Sequence, residues 1–270
     1  MTPHPLTWLY VPGDRPSVVA KALAAGADVV VVDLEDAVAP DRKEYARAAT
    51  AELLSEPRPD VHVRVNALDT PWAADDLRTL APLPGLSGLR LPKVTSAKEV
   101  TAVAEQTGGL PLYALLETAL GVERAFAIAS AHPAVHGVAL GEADLRADLG
   151  VREDAGLDWS RSRVVVAARA AGLAPPAQSV HPDIRDLDAL AVSCAHGRAL
   201  GFLGRAAIHP RQLPVIESAF LPTGREIEEA ETIVKAAVAE EGAQALADGR
   251  FVDAAVVAAA RRTLSLVRRT

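Results

Sequence analysis

The run VVVVDLEDAV, residues 29–38, decides how the rest of the chain is read. Four successive valines show no alternation of apolar and polar residues, so they suit a strand buried on both faces at the centre of a parallel sheet. The run ends in Asp33, Glu35 and Asp36. Ligands of α/β barrels and open α/β sheets bind at the carboxyl ends of strands, and acids buried there are costly unless something pairs with them. Any one of the three reads equally as a cap on the next helix or as the partner of a nearby arginine. The three together mark a site.

Working outward, short apolar runs that end in polar residues recur at 8–11, 61–65, 88–91, 112–116, 135–140, 178–180 and 206–208, with helical patterns between them. The run at 178–180 is the weakest, because His181-Pro182 interrupts it. Ser96 with Glu99 three residues on predicts a capping box at the start of one helix. Eight strand candidates alternating with helices, in a chain of 270 residues, predict an α/β fold of the (β/α)8 TIM-barrel type. Beyond Pro222 the pattern changes to a charged amphipathic helix over 224–246, a turn at Asp248-Gly249 and a second helix over 254–267. The expected organisation is a barrel over residues 1–222 and a helical extension over 223–270 that packs on a neighbouring subunit.

Composition narrows the function classes. Half of the residues are hydrophobic but only 4% are aromatic, so Ala, Val and Leu must build the core. A net charge of −7 argues against a nucleic-acid partner, which calls for a basic face. It leaves room for an anionic small molecule held by local arginines. The single cysteine, Cys194, excludes an internal disulfide and a cysteine zinc cluster and reads as a small buried helix residue. The start of the chain lacks a basic leader with a long apolar segment, and no apolar run approaches the roughly 20 residues of a membrane span. A soluble, cytoplasmic protein is expected.

Glu117 and Asp144 end the fifth and sixth strand candidates, so both face one mouth. Two carboxylates completed by water and substrate oxygens suit Mg2+, and with a single cysteine there is no cysteine cluster to point to zinc. Without a metal, the two would be helix-capping acids. Arg64 ends the third strand and needs an anion: either the Glu35/Asp36 pair or a substrate carboxylate held bidentately. Arg15, in the PGDRP loop, reads as a second anion contact or as a solvated charge. Lys93 faces the same mouth. His209, before Pro210, reads as a structural residue and stays outside the catalytic set.

The motifs LYVPGDRP (9–16), DLEDAV (33–38), VRVN (63–66), LPKV (91–94), LLETALG (115–121), GEADL (141–145), GFLGRAAIHPRQ (201–212) and FVDAAV (251–256) run in order along almost the whole chain. In this set the chain resembles the citrate lyase beta-subunit-like proteins of the HpcH/HpaI aldolase superfamily. The resemblance implies a homotrimer or hexamer, with C-terminal helices crossing to a neighbour, and Mg2+ bound by Glu117 and Asp144. It further implies Arg64 as the substrate arginine, Glu35 and Asp36 as the acidic pair beside it, and Asp253 as the acid/base at the acetyl carbon. From the residues alone, Asp253 is a plain helix N-cap. The chain departs from the pattern at FVDAAV, where relatives often carry Met and Pro around the Val-Asp pair, and at AQSVHPDI, where Gln178 and Ser179 stand in place of an acid.

The function expected on these grounds is Mg2+-dependent cleavage or formation of a 3-hydroxyacyl-CoA thioester, of malyl-CoA or citramalyl-CoA type, from acetyl-CoA and a 2-oxo acid. Arg15, Arg64 and Glu117 would contact the substrate; Arg64, Asp253, Glu35 and Asp36 would form the catalytic set. Three alternatives stand beside it: a citrate lyase beta subunit served by an acyl-carrier partner, a class II aldolase on free hydroxy-oxo acids, and a non-catalytic barrel that binds acyl-CoA or a dicarboxylate.

Overall fold

The structure, a computed structural model, describes residues 4–58, 60–239, 244–245 and 251–267. Two compact units divide the chain, one over Pro5–Ala219 and the other from Phe220 onward. In the first, strands β1 (Thr7–Pro12), β2 (Val29–Asp33), β3 (Val61–Arg64), β4 (Gly88–Leu91), β5 (Leu112–Leu116), β6 (Val135–Leu140) and β7 (Arg205–Ala207) lie in the order β6-β5-β4-β3-β2-β1-β7. Every pairing is parallel. The connections carry helices α1 (Pro16–Leu23), α2 (Lys43–Leu54), α3 (Ala73–Leu80), α4 (Ala97–Gln106), α5 (Ala119–Glu123), α6 (Ala125–Ala129), α7 (Glu142–Leu149), α8 (Asp158–Ala170) and α9 (Leu187–Leu200), with α10 (Leu213–Phe220) after β7. This is a parallel α/β half-barrel consistent with the TIM type.

All five residues of β2 are buried, as an unalternating valine run in the middle of a parallel sheet requires. Trp8, Val29 and Val31 cluster with Tyr10 and Ala177, so β1 and β2 turn the same registered rows toward one side. The capping box forms at α4: Glu99 N donates to Ser96 Oγ at 3.4 Å and Ser96 N donates to Glu99 Oε2 at 3.3 Å. Helix α9 buries Cys194 and ends at Gly201, whose φ of +98° is the left-handed cap that glycine adopts without steric cost.

Three expectations need correction. The seventh strand candidate shrinks to one bridge, in which Gln178 N donates to Gly204 O and Gln178 O accepts from Ala206 N. Pro175, Pro176 and Pro182 deprive that stretch of ladder donors on both sides. The helical pattern after Thr118, which the sequence predicts to run unbroken to Ala131, is instead two short helices that meet at Arg124. The long helix expected over 224–246 is α11 (Gly224–Ala239); Gln244–Ala245 instead form β8, antiparallel to β9 (Phe251–Val252). The turn expected at Asp248-Gly249 lies outside the described residues.

In the second unit, α12 (Ala254–Ser265) follows β9, and Ala230, Ile233, Val252 and Ala260 form a small apolar core with Val234, Val256, Val257 and Leu264 around it. Among the described residues, no helix is long and apolar enough to cross a membrane.

Candidate active site

The registers of the central strands bring the acids and bases together. Asp33 at the end of β2 is opposite Arg64 at the end of β3. Its two carboxylate oxygens accept from Arg64 Nε at 2.8 Å and Nη2 at 2.6 Å, the bidentate fork that guanidinium and carboxylate planes favour. The same oxygens also accept from the backbone N–H groups of Glu35 and Ala37, so Asp33 is fixed before Arg64 arrives. Arg64 Nη1 forms an ion pair with Glu35 Oε2 at 2.8 Å, outside hydrogen-bond alignment, and is 3.8 Å from Asp36. Burial alone would lower the Arg64 guanidinium; the hydrogen bonds and charge of Asp33 outweigh it and hold the pKa above its ordinary value.

Lys93 completes the cluster. Its Nζ is 2.7 Å from Glu35 Oε1 and 3.5 Å from Asp36. Its φ is +53°, a left-handed conformation rare for a residue with a Cβ. In that conformation Lys93 N donates to Glu117 Oε2 at 2.9 Å; strain of this kind concentrates at functional sites. Lys43, buried beneath the loop, donates from Nζ to the carbonyls of Leu34 and Glu35 at 2.7 Å each. Burial raises the Glu35 carboxyl above its usual range even though Arg64 and Lys93 pull it down.

Glu117 is 2% exposed. Burial first, then the charges of Glu35 and Asp144, push its carboxyl up from an ordinary 4.5 to about 8, with Arg64 and the Lys93 backbone acting in the opposite sense. A Cβ at position 141 would run into Glu117 Oε1, so only glycine leaves room for this carboxylate. Glu117 and Asp144 line one cavity of about 600 Å3 together with Arg15, Asp36, Arg64 and Arg90. Among the described residues no cluster of three or more His, Cys, Asp or Glu could hold a metal. A two-carboxylate set fits a hard divalent cation that keeps part of its water better than zinc. A cation there would also counter the burial and the neighbouring charges that lift Glu117.

Of the residues singled out from sequence, Arg64, Glu35, Asp36, Glu117 and Asp144 therefore come together, and Arg15 lies at the rim with its side chain 64% exposed. Asp253 belongs to the other unit, where its carboxylate accepts from Val256 N at 2.9 Å and caps α12. His209 caps a short turn by accepting from Arg211 N. Glu142, in the same motif as Asp144, is taken by Arg161 at 3.0 and 2.7 Å.

Three residues carry more of the site than the sequence reading gave them. Asp33, not Glu35, is the primary partner of Arg64. Lys93 links Glu35 to Glu117, and the Pro-Lys pair at a strand end was its only signal. Arg90 is buried in β4. Its Nη1 is 3.4 Å from Tyr10 Oη, and its guanidinium is 5.2 Å from the Tyr113 ring centre, 5.7 Å from Tyr10 and 5.9 Å from Trp8. Such ring contacts contribute about 0.5–2 kcal/mol, against a cost of several kcal/mol for a buried charge without a counter-ion.

Known proteins match this arrangement over nearly its full length. The family model described as HpcH/HpaI aldolase/citrate lyase matches residues 6–210. The chain is 38% identical to a (3S)-malyl-CoA thioesterase of Cereibacter sphaeroides, covering 97% of this chain and 94% of that protein. It is 33% identical to the citrate lyase subunit beta of Escherichia coli, over 95% and 91%. The crystal structure of CitE from Mycobacterium tuberculosis in complex with magnesium, acetoacetate and coenzyme A superposes with a TM-score of 0.85 at 36% identity, covering 98% of each chain. This chain belongs to the HpcH/HpaI aldolase/citrate lyase family.

Proposed function

We propose that this protein is a Mg2+-dependent carbon–carbon lyase that cleaves or forms a 3-hydroxyacyl-CoA thioester of the malyl-CoA type. Its two products would be acetyl-CoA and a 2-oxo acid, whose substituent distinguishes malyl, citramalyl and citryl thioesters. The observation that carries the proposal is the convergence of Glu117, Asp144 and the clamped Arg64 on one cavity. A relative with magnesium and coenzyme A in its crystal structure supports it. We read the sheet as a closed (β/α)8 barrel with Gln178 in the place of its seventh strand. Residues 1–222 form the catalytic domain, and residues 223–270 pack on a neighbouring subunit of a homotrimer or hexamer.

Glu117 and Asp144 would hold Mg2+, which when bound acts as a Lewis acid on the carbonyl of the 2-oxo acid. The Arg64 guanidinium has five N–H bonds; those not engaged by Asp33 and Glu35 donate to the substrate carboxylate or to the oxygen that gains charge. Because Asp33 and Glu35 already fix it, Arg64 needs no reorganisation when the substrate arrives. Glu35 and Asp36 position Arg64 and Lys93. Lys93 is held protonated by Glu35 despite the lowering effect of burial, which suits a positioning charge and not a Schiff-base nucleophile. Asp253 of a neighbouring copy takes or returns the proton at the acetyl α-carbon, and Arg15 at the rim contacts the CoA phosphates.

The test is incubation of purified protein with (S)-malyl-CoA, with citramalyl-CoA and with citryl-CoA, with and without Mg2+, trapping glyoxylate, pyruvate or oxaloacetate and measuring acetyl-CoA. Metal-dependent appearance of both products supports the lyase. Identity to a protein named a malyl-CoA thioesterase favours one second reading, hydrolysis. Free CoA and malate with no oxo acid would replace the lyase by that reading. In the same assay Gly141→Ala is expected to lower kcat about 10^2-fold with the fold intact by circular dichroism, because its Cβ displaces Glu117 and misplacement of a reacting group by an ångström costs that much. Unchanged turnover would remove Glu117 from the metal site.

A further inference from the structure

The proposed reading leaves open which 2-oxo acid the cavity takes, and Arg90 bears on that choice. In parallel neighbours, residues in register project to the same face of the sheet. The pairs Asp33↔Arg64, Arg64↔Arg90 and Arg90↔Tyr113 thus set two arginines side by side on one row. Their situations differ. Arg64 is held by Asp33 and Glu35, whereas among the described residues no carboxylate is within ion-pair distance of Arg90. Its Nε is buried without a hydrogen-bond partner, and the residue is 4% exposed while lining the same cavity of about 600 Å3. Arg205, also buried without an acid, differs in donating to Ser193 Oγ at 2.9 Å and does not line that cavity.

The charges around the cavity point to what is missing. Asp33, Glu35 and Asp36 are three negative charges met by three positive ones, Arg64, Lys93 and the buried Lys43. Glu117 and Asp144 would be matched by the divalent cation of the proposed function. Arg90 is then a positive charge left over, walled by Trp8, Tyr10 and Tyr113, whose ring faces offset only part of the cost of its burial. His62, stacked on Tyr113 at 4.7 Å, adds no competing charge, since burial and then Arg90 keep its imidazole neutral. A carboxylate brought in by the substrate supplies the counter-ion.

We propose that Arg90 is a specificity-determining residue that binds a second carboxylate on the oxo-acid half of the substrate, favouring a dicarboxylic 2-oxo acid over glyoxylate or pyruvate. This rests on the reading of the cavity as a 2-oxo-acid site. The test is calorimetric titration of the wild-type protein and of Arg90→Gln with freshly dissolved oxaloacetate and with pyruvate, both in the presence of Mg2+. The wild-type protein is expected to bind oxaloacetate at least tenfold more tightly than pyruvate. Arg90→Gln should reduce that ratio by roughly 10–100-fold, the value of a hydrogen bond to a charged group.

Arg90→Met provides a second variant of similar length. Ligand-free, it should melt no lower than wild type, because it removes an unpaired buried charge. An equal preference in the wild-type protein, a ratio that survives both substitutions, or a clearly lowered melting temperature for Arg90→Met would each overturn the assignment and make Arg90 a packing residue. Wild-type protein that binds neither acid with Mg2+ present would overturn the reading of the cavity as well.

Discussion

Glutamine at position 117 is expected to abolish metal-dependent cleavage and, in the metal-free protein, to raise stability at alkaline pH. The first effect should reach roughly 10^3-fold or more, since loss of a metal ligand removes the several kcal/mol of Lewis-acid stabilisation. The second follows from the position of the Glu117 carboxyl, which ionises at about 8 in the fold and at 4.5 when exposed. Between those values the folded state holds a proton that the unfolded state has released, so stability falls as pH rises through the window and levels off above it. Glutamine cannot ionise and escapes this loss. In EDTA, the unfolding free energies of the wild-type protein and Glu117→Gln from urea titrations should diverge between pH 5 and pH 9, by a few kcal/mol at the upper end. Parallel pH profiles would mean that Glu117 is not held in the desolvated state described above.

The second large effect concerns the clamp beneath the site. Asp33→Ala leaves Arg64 buried without its main partner and removes the acceptor of the Glu35 and Ala37 N–H groups. Breaking one side of a buried, hydrogen-bonded ion pair costs about 3–5 kcal/mol. Adding Arg64→Met should restore part of that loss, because removing both charges costs less than stranding one. Equilibrium unfolding of the two single variants and the double variant checks this. A double variant no more stable than Asp33→Ala would show that the pair is not the origin of the effect.

Much of this was legible in the chain because strand ends announce themselves locally. The valine run of β2 and the apolar runs of β3, β5 and β6 fell where apolar stretches meet polar residues, and that placed Arg64, Glu117 and Asp144 at one mouth. Family motifs then added a role for Asp253, which by itself is only a cap. What escaped depends on contacts remote in sequence. Whether Asp33 or Glu35 grips Arg64 is set by the register of β2 with β3. The left-handed backbone of Lys93 is fixed by Glu117, 24 residues away. The pairing of Gln244–Ala245 with Phe251–Val252 overrides a local helical pattern. Arg90 looked like one polar residue in an apolar run, and only the closed wall of aromatic rings around it makes its missing counter-ion visible.

The clamp also bears on how such a protein can diverge. Asp33 serves the backbone of its own loop and the side chain of Arg64 at once, so neither position can drift while the other stays fixed. A library randomised at 33 and 64 and selected only for folding should return survivors in covarying pairs, either acid with base or apolar with apolar, with single replacements purged. Selection for turnover should return the acid–base pair alone. New substrate preferences in this lineage would then arise around the clamp, at positions such as 90, 178 and 179, where one exchange leaves the foundation of the site untouched.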